Sequence, residues 1–533
     1  MARARIDQAL TFAASQPREA LRILLADLQN ETETAWLLAA QALMDRAHAP
    51  LAAALLEAAL LRFPQGPGIR LGLATALWHA EDTARAEKIL REAASPDDAS
   101  VFLLAELLRT QGKLGEAAAL VAERSERWPG DADMSMRAAQ FVRECQRQDR
   151  ALAICERALA PHPRDTRLLS MAGNLAQELG RFDAARAFYV AALDGGVDLN
   201  LRFVLNGLVG LQRYDDRTHA DFSRLEAARA NASLTPRARA AVLFAYGKAC
   251  EDIGDFAAAA GAWREANALT GALQPWSRSA WRAFVAERVA RKPAFGAFDD
   301  PPFTPVFIVG MPRTGTTLVA ELLARHASVR NRGESPVLPY LAKSMRALPE
   351  SQRGAAIAEG RSLYLAHLVQ DDEPAAFYLD KNPLNVIHLD LIAEMFANAR
   401  VIECTRGARD TALSIWSQTF ANDDYAFASD FDDIAALMQG CTELVHHARH
   451  GAHPAMLSIR YEDLIADEAA TLDRIAAFIG LDRAADVARP ARGTSAITSA
   501  SFWQARQPVY ARSVGRWRNY ASLLPELIDR FEE

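Results

Sequence analysis

A small residue returns every 34 positions through part of the first half of this chain. Ala117, Ala151 and Ala185 close the runs Gly-Lys-Leu-Gly-Glu-Ala117, Gln-Asp-Arg-Ala151 and Phe-Asp-Ala-Ala185, and Pro129 and Pro163 recur at the same interval. A unit of that length holds two short helices, too few to bury their own apolar faces, so copies must stack and share a continuous core. From about residue 5 to 272 the sequence is rich in Ala and Leu and almost free of strand-like alternation. The expected fold there is an α-helical solenoid of about seven units.

The period is that of tetratricopeptide repeats. The clearest unit spans 165–193: Gly173 stands where the first helix must approach its neighbour, Gly180-Arg-Phe182 makes the turn, and Ala185, Phe188, Tyr189 and Ala192 line the second helix. A second unit, 236–269, repeats the scheme with Tyr246-Gly247, Gly254-Asp-Phe256 and Trp263, whereas 199–231 reads as degenerate. Such an array implies a concave surface that grips a peptide or protein partner; a rigid scaffold or a homodimerisation arm is the other use. Trp276, Trp281 and Phe284 then suggest one more helix that docks onto the next domain, and 295–302 reads as a linker from its Gly and Pro content. The expected domains are a repeat array over 1–272, a connecting segment over 273–302 and an α/β domain with a parallel sheet over 303–533.

In that last part strand-like runs alternate with helical ones: 306–309, 377–379, 400–404 and 455–459, each followed by a helix. The first strand opens Thr304-Pro-Val-Phe-Ile-Val-Gly-Met-Pro-Arg-Thr-Gly-Thr-Thr-Leu318. Strand, glycine loop and helix in this order aim several backbone N–H groups and a helix dipole at one point, which suits an anion. The pattern G-x-x-x-x-G-K-[ST] of ATPases and kinases needs a lysine where this chain has Thr316. The positive charge stands instead at Arg313, inside the loop.

Pro312-Arg313-Thr314-Gly315-Thr316-Thr317 resembles the phosphosulfate-binding loop of sulfotransferases, in the variant of tyrosylprotein sulfotransferases and of bacterial relatives with tetratricopeptide repeats. The resemblance runs from about Thr304 to the end and implies 3′-phosphoadenosine 5′-phosphosulfate as co-substrate, bound through Arg313, Thr314, Gly315, Thr316 and Thr317. In Asn331-Arg-Gly-Glu334, a carboxylate beside the donor is what a general base for an acceptor hydroxyl requires. The tyrosylprotein sulfotransferases carry that role on a Gly-Glu here; capping a helix or pairing with Arg332 is the ordinary reading of Glu334. Cytosolic sulfotransferases use a histidine, for which His326 and His388 are the substitutes.

Lys381, in Leu379-Asp380-Lys381-Asn382-Pro383, resembles the family lysine that neutralises charge on the sulfuryl group and the leaving phosphate. In Arg406-Gly-Ala-Arg409-Asp410-Thr-Ala-Leu-Ser414, an arginine at a strand end and a serine in the following helix can reach one phosphate. In the family this pair holds the 3′-phosphate that separates this donor from ATP. Tyr461 matches a family position beside the nucleotide. The window 491–518 holds five arginines and no acid, a local anion site; it resembles the family segment in which a serine, here Ser501, contacts the phosphosulfate, and a basic residue beside a tryptophan, here Arg516 and Trp517, closes over the nucleotide. The family example has lysine at the place of Arg516.

The remaining composition excludes more than it adds. A net charge of −7 over 533 residues gives no support for nucleic-acid binding. Cys145, Cys155, Cys250, Cys404 and Cys441 form no C-x-x-C pair, so buried reduced thiols are expected rather than a disulfide framework or a zinc site. The amino terminus lacks the apolar run of a signal peptide, and no window reaches the length of a membrane span, so the expectation is a cytoplasmic protein. His446, His447, His450 and His453 read as a solvated helix end. Asp423, Asp424, Asp430, Asp432 and Asp433 read as a solvated loop or an acceptor rim, and the family chemistry requires no metal. The acceptor stays open: the motifs point to a tyrosine in a peptide or protein, while related domains act on glycans, lipids and small phenols. Two rivals remain, a P-loop kinase or NTPase with an unusual loop, and a repeat adaptor whose nucleotide-binding domain is inactive.

Overall fold

The computed structural model describes residues 9–532 apart from 94–95, 292–297, 347, 421–422, 452–453 and 483–512. The chain divides into two compact units, Met1–Ile154 and Cys155–Glu533.

In the first unit helix follows helix from Pro17–Leu28 to Ala132–Glu144. The repeat period has a structural counterpart in the helix caps. Asp97, Asp131 and Asp165, at 34-residue spacing, each accept a hydrogen bond from a backbone N–H of the first turn that follows. The small residues expected to let helices approach do so: Ala117 in this unit and Ala185 in the next are completely buried.

The second unit contains the two clearest repeats and the α/β domain. A Cβ on Gly173 would lie 2.5 Å from the Tyr189 ring, and one on Gly247 would strike the Trp263 indole. Tyr189 is fully buried, and its hydroxyl donates to Asn174 or Gln177 at 2.8 and 2.7 Å. Trp263 belongs to the same apolar core as one face of the sheet. That shared core explains why the packing divides the chain inside the repeats, whereas the change from helices to alternating strands falls near residue 300. Of the expected connecting segment, the Arg278–Ala290 helix lies on the Phe431–His450 helix, with Trp281 Nε1 donating to Ala436 O at 2.9 Å; residues 292–297 of the linker are outside the described residues.

The sheet is parallel and five-stranded, in the order β2-β3-β1-β4-β5: β1 Thr304–Gly310, β2 Val329–Asn331, β3 Phe377–Asp380, β4 Arg400–Thr405 and β5 Ala455–Arg460. Four of these strands are those expected. The fifth, β2, has only three residues on the sheet edge, too short for any alternation to register. Along β1 the side chains alternate between two cores, Val306 and Ile308 facing the Thr316–Leu323 and Glu468–Ile479 helices, Phe307 and Val309 facing the other layer. Helices cover both faces, which is why the central strands are apolar throughout. The five cysteines are free and buried, and burial raises their thiols above the ordinary value. Among the described residues no helix is long and apolar enough to cross a membrane.

Candidate active site

The strand order reverses direction on either side of β1, and at such a switch point ligands lie beyond the carboxyl ends of the strands. Each of the five strands here ends in a residue singled out by the sequence, or one beside it: Arg313 after β1, Glu334 after β2, Lys381 after β3, Arg406 after β4 and Tyr461 after β5.

The loop after β1 depends on its glycines. Gly310 has φ +145°, and a Cβ there would collide with the Cys404 carbonyl. Gly315, the N-cap of Thr316–Leu323, has φ +94°, and its missing side chain is the space the Tyr461 ring occupies, 2.6 Å from where a Cβ would stand. Arg313 itself adopts φ +71°, a costly conformation for a side chain with a Cβ, held by the loop around it. Thr314 Oγ1 donates to Met311 O at 2.7 Å and closes the turn, and Thr314, Thr316 and Thr317 are buried.

Arg313 and Ser414 meet: Arg313 Nε donates to Ser414 Oγ at 3.2 Å. Arg406 donates through Nη1 to Arg313 O at 3.2 Å and through Nη2 to Ser513 O, and its guanidinium lies 5.1 Å from the Tyr461 ring centroid. Its side chain is 5% exposed and its nearest carboxylate, Asp410, is 4.0 Å away. Burial therefore pushes the Arg406 guanidinium below its ordinary value, with Asp410 and Tyr461 offsetting part of the effect. Its Nε is buried without a hydrogen-bond partner among the described residues. A buried cation whose hydrogen bonds among the described residues go to carbonyls, and which retains a spare donor, has the fit that a nucleotide phosphate would require.

On the other side of the loop, Lys381 Nζ donates to Glu334 Oε1 at 2.5 Å, the lysine buried and the carboxylate half-exposed. Backbone bonds set this pair: Arg332 N donates to Leu379 O at 2.9 Å and Lys381 N to Gly333 O at 2.8 Å, so the ends of β2 and β3 are tied together. Arg332 is not the partner of Glu334. It turns away to bond Leu368 O, Val369 O and Asp372 at the end of the Glu350–Val369 helix. Beneath the lysine, Asp380 is buried against the Tyr364 hydroxyl, and burial raises its carboxyl to about 7.

Tyr425 was not singled out by the sequence. Burial raises its phenol, and the charge of Glu334 raises it further, which puts the two groups within electrostatic reach of each other. Its ring stacks on Phe420 with centroids 4.4 Å apart. The neighbouring acids are less solvated than expected: Asp430 caps the Phe431–His450 helix, Asp432 pairs with Arg278 and Arg530, and Asp433 with Arg278. Asp424 is exposed, and Asp423, also exposed, accepts from Gln274.

Three expectations meet a different arrangement. Arg516 is not turned to the loop: Nε and Nη2 bond the Glu251 carboxylate at 2.6 and 2.9 Å, because the fold brings the Pro236–Asp252 helix to that side. Trp517 lies against the Arg409 guanidinium, 4.6 Å from the ring centroid, and its backbone N–H donates to Asp410 at 3.0 Å. Neither histidine stands open as a substitute for Glu334. His326 is bonded at both ring nitrogens, to Asp482 O and Ser328 N; His388 is buried, and its ring is driven down to about 4 by that burial and by Arg288, with Asp390 opposing. Ser501 and His453 lie outside the described residues. His446 and His450 stand at an exposed helix end with rings 4.2 Å apart.

Comparison with known proteins finds likenesses for two parts of the chain. Residues 305–486 match the sulfotransferase family model, and residues 37–99 and 102–166 match a tetratricopeptide-repeat model. An uncharacterized protein of Aquifex aeolicus (strain VF5) is 28% identical over 43% of this chain and 32% of its own length. Protein-tyrosine sulfotransferase 1 of Danio rerio is 26% identical over 30% of this chain and 48% of its own. These matches thus span less than half the length of either curated relative. The solved sulfotransferase domain from the curacin biosynthetic pathway aligns over 42% of this chain and 98% of that domain, with 16% identity and a TM-score of 0.26. Residues 305–486 thus resemble the sulfotransferase family, and the segments that match tetratricopeptide repeats precede them.

Proposed function

We propose that this protein transfers a sulfuryl group from 3′-phosphoadenosine 5′-phosphosulfate to an acceptor hydroxyl. The observation that carries the proposal is the pairing of two anion-seeking features around one loop. Arg406, buried with an unpartnered Nε, stands with Ser414 and Arg313 on one side, and the Lys381–Glu334 pair stands on the other. A kinase-type loop would need one cation at the outer phosphates; a donor with a separate 3′-phosphate needs two anion sites.

In the proposed step the acceptor oxygen bonds to sulfur as the bond from sulfur to the bridging phosphate oxygen breaks. The acceptor proton passes to Glu334, and the electron pair stays on the departing phosphate, where Lys381 and Arg313 offset the charge. The 2.5 Å contact gives Lys381 two duties. It holds the Glu334 carboxylate in place, and it can turn its charge to the leaving group once the acceptor proton has passed to Glu334. Arg406 and Ser414 hold the 3′-phosphate, the loop residues Thr314 to Thr317 hold the 5′-phosphosulfate, and Tyr461 lies against the nucleotide. Ser501 keeps its proposed contact with the phosphosulfate. No metal has a part in this scheme. The stacked Phe420 and Tyr425 near Glu334 favour an acceptor with a flat ring, such as a tyrosine side chain or a small phenol. The repeat array is proposed to recruit the acceptor, and residence in the cytoplasm is proposed with it.

The test is calorimetric titration of the full chain with adenosine 3′,5′-bisphosphate beside ATP plus magnesium. Tight binding of the bisphosphate alone is expected, and binding of ATP alone would return the loop to the kinases. Arg406→Ala should weaken the bisphosphate by about 100-fold, far more than an analogue without the 3′-phosphate. Transfer of labelled sulfate to tyrosine peptides or phenols then separates an enzyme from an inactive adaptor.

A further inference from the structure

The residues from Ser513 to Tyr520 form a strap with an anchor on each side. On the donor side, Ser513 O accepts from Arg406 Nη2, Ser513 Oγ shares a 2.8 Å hydrogen bond with the Tyr461 hydroxyl, and the N–H groups of Gly515 and Trp517 donate to Asp410 at 2.6 and 3.0 Å. The chain turns at Gly515 with φ +76°, where a side chain would run into Arg518. The far anchor is in the repeat. Glu251, in the last turn of the Pro236–Asp252 helix, takes two hydrogen bonds from Arg516, at 2.6 and 2.9 Å, and one from the Tyr520 hydroxyl at 3.0 Å. Arg516 also donates to Ser417 Oγ at 3.0 Å and lies 5.5 Å from the Trp263 ring centroid, and only about a fifth of either charged side chain is exposed.

We propose that Glu251 is a positioning residue for the donor's 3′-phosphate, so that the repeat beside the catalytic domain is part of the nucleotide site and not only a recruiting arm. The inference rests on the donor assigned above. Arg406 is aimed by two carbonyls, one of them Ser513 O, and among the described residues has no carboxylate in hydrogen-bond range. The position of Ser513 in turn depends on a strap whose other end Glu251 fixes. Glu251 also occupies the charge of Arg516, which acts on Arg406 electrostatically. If Glu251 is neutralised, the buried Arg516 loses its counter-charge, the strap loosens, and Arg406 loses the Ser513 carbonyl that aims it.

The experiment is calorimetric titration of full-length wild type and Glu251→Gln with adenosine 3′,5′-bisphosphate and with adenosine 5′-monophosphate. The preference for the bisphosphate should fall by about tenfold in the variant while the monophosphate binds as before, and the donor KM should rise more than kcat falls. Tyr520→Phe, which removes one hydrogen bond from Glu251, should give a smaller loss of the same kind and carries the test if Glu251→Gln does not fold. An unchanged preference, or equal weakening of both nucleotides, would overturn the proposal. A wild-type chain with no preference would overturn the donor assignment itself.

Discussion

The unit up to Ile154 and the unit from Cys155 onward are held by polar interactions of different reach. In the first, Arg22 pairs with Glu19 three residues away, and Arg124 with Asp98 and Arg91 with Glu116 across 26 and 25 residues, less than one repeat. In the second, the site is assembled by Lys381 with Glu334 across 47 residues, Arg313 with Ser414 across 101, Arg406 with Ser513 across 107 and Arg516 with Glu251 across 265. Stacked repeats need only nearest-neighbour contacts. A candidate site at a switch point draws on every strand, so its partners are distant in sequence.

The largest expected effect tests whether the distant pairs carry the chemistry. Glu334→Gln should keep nucleotide binding and lower turnover by about 100-fold or more, measured as sulfate transfer at saturating donor; equal activity would remove Glu334 as the base. A second probe is pH. His388, with its ring lowered to about 4, stays neutral in the folded chain while the unfolded chain takes up a proton near pH 6.5. Its contribution to stability is thus complete above pH 6.5 and lost as pH falls toward 4, by about 3 kcal/mol at most. His388→Leu should flatten that part of the stability-against-pH curve in chemical denaturation, and an unaltered slope would show that the ring is accessible.

Smaller effects probe the repeats. Gly247→Ala sets a methyl against the Trp263 indole and should destabilise by about 1–2 kcal/mol, overpacking outweighing the better helix propensity of Ala. Gly261, on the next helix, has open space around a Cβ, and Gly261→Ala should stabilise by about 0.5–1 kcal/mol. Equal responses at the two positions would contradict the close approach at Gly247. Smallest is Arg91→Ala in the first unit, which removes pairs to Glu87 and Glu116 from an arginine side chain 42% exposed and should cost no more than about 0.5 kcal/mol in urea unfolding.

Much of the fold was legible because it is written locally. The 34-residue period fixes the repeat, Gly173 and Gly247 mark its tight crossings, and apolar runs mark the four longer strands. The site was legible as far as its residues are punctuated by backbone: Arg313 sits between two glycines of a strand-to-helix loop, Lys381 and Arg406 follow strands directly, and Glu334 follows a glycine. β2 was missed because three residues cannot show a period. Glu251 was missed because an acid in Cys-Glu-Asp at a helix end looks like any solvated helix face, and Tyr425 because no glycine, proline or strand end marks it.

The sequence by itself determined the order of elements, the loop conformation and the chemical types available beyond each strand, since backbone preference and apolar periodicity act over a few residues. Only the tertiary structure decided which charge meets which. Arg516 sits in an arginine-rich window that reads as an anion site, yet its charge goes to Glu251, and Asp410, an acid in the first turn of the Ala408–Trp416 helix, holds two N–H groups of the C-terminal strap. The partner of a long charged side chain depends on the elements that the sheet order and shared core bring beside it, and that information is spread over the whole chain.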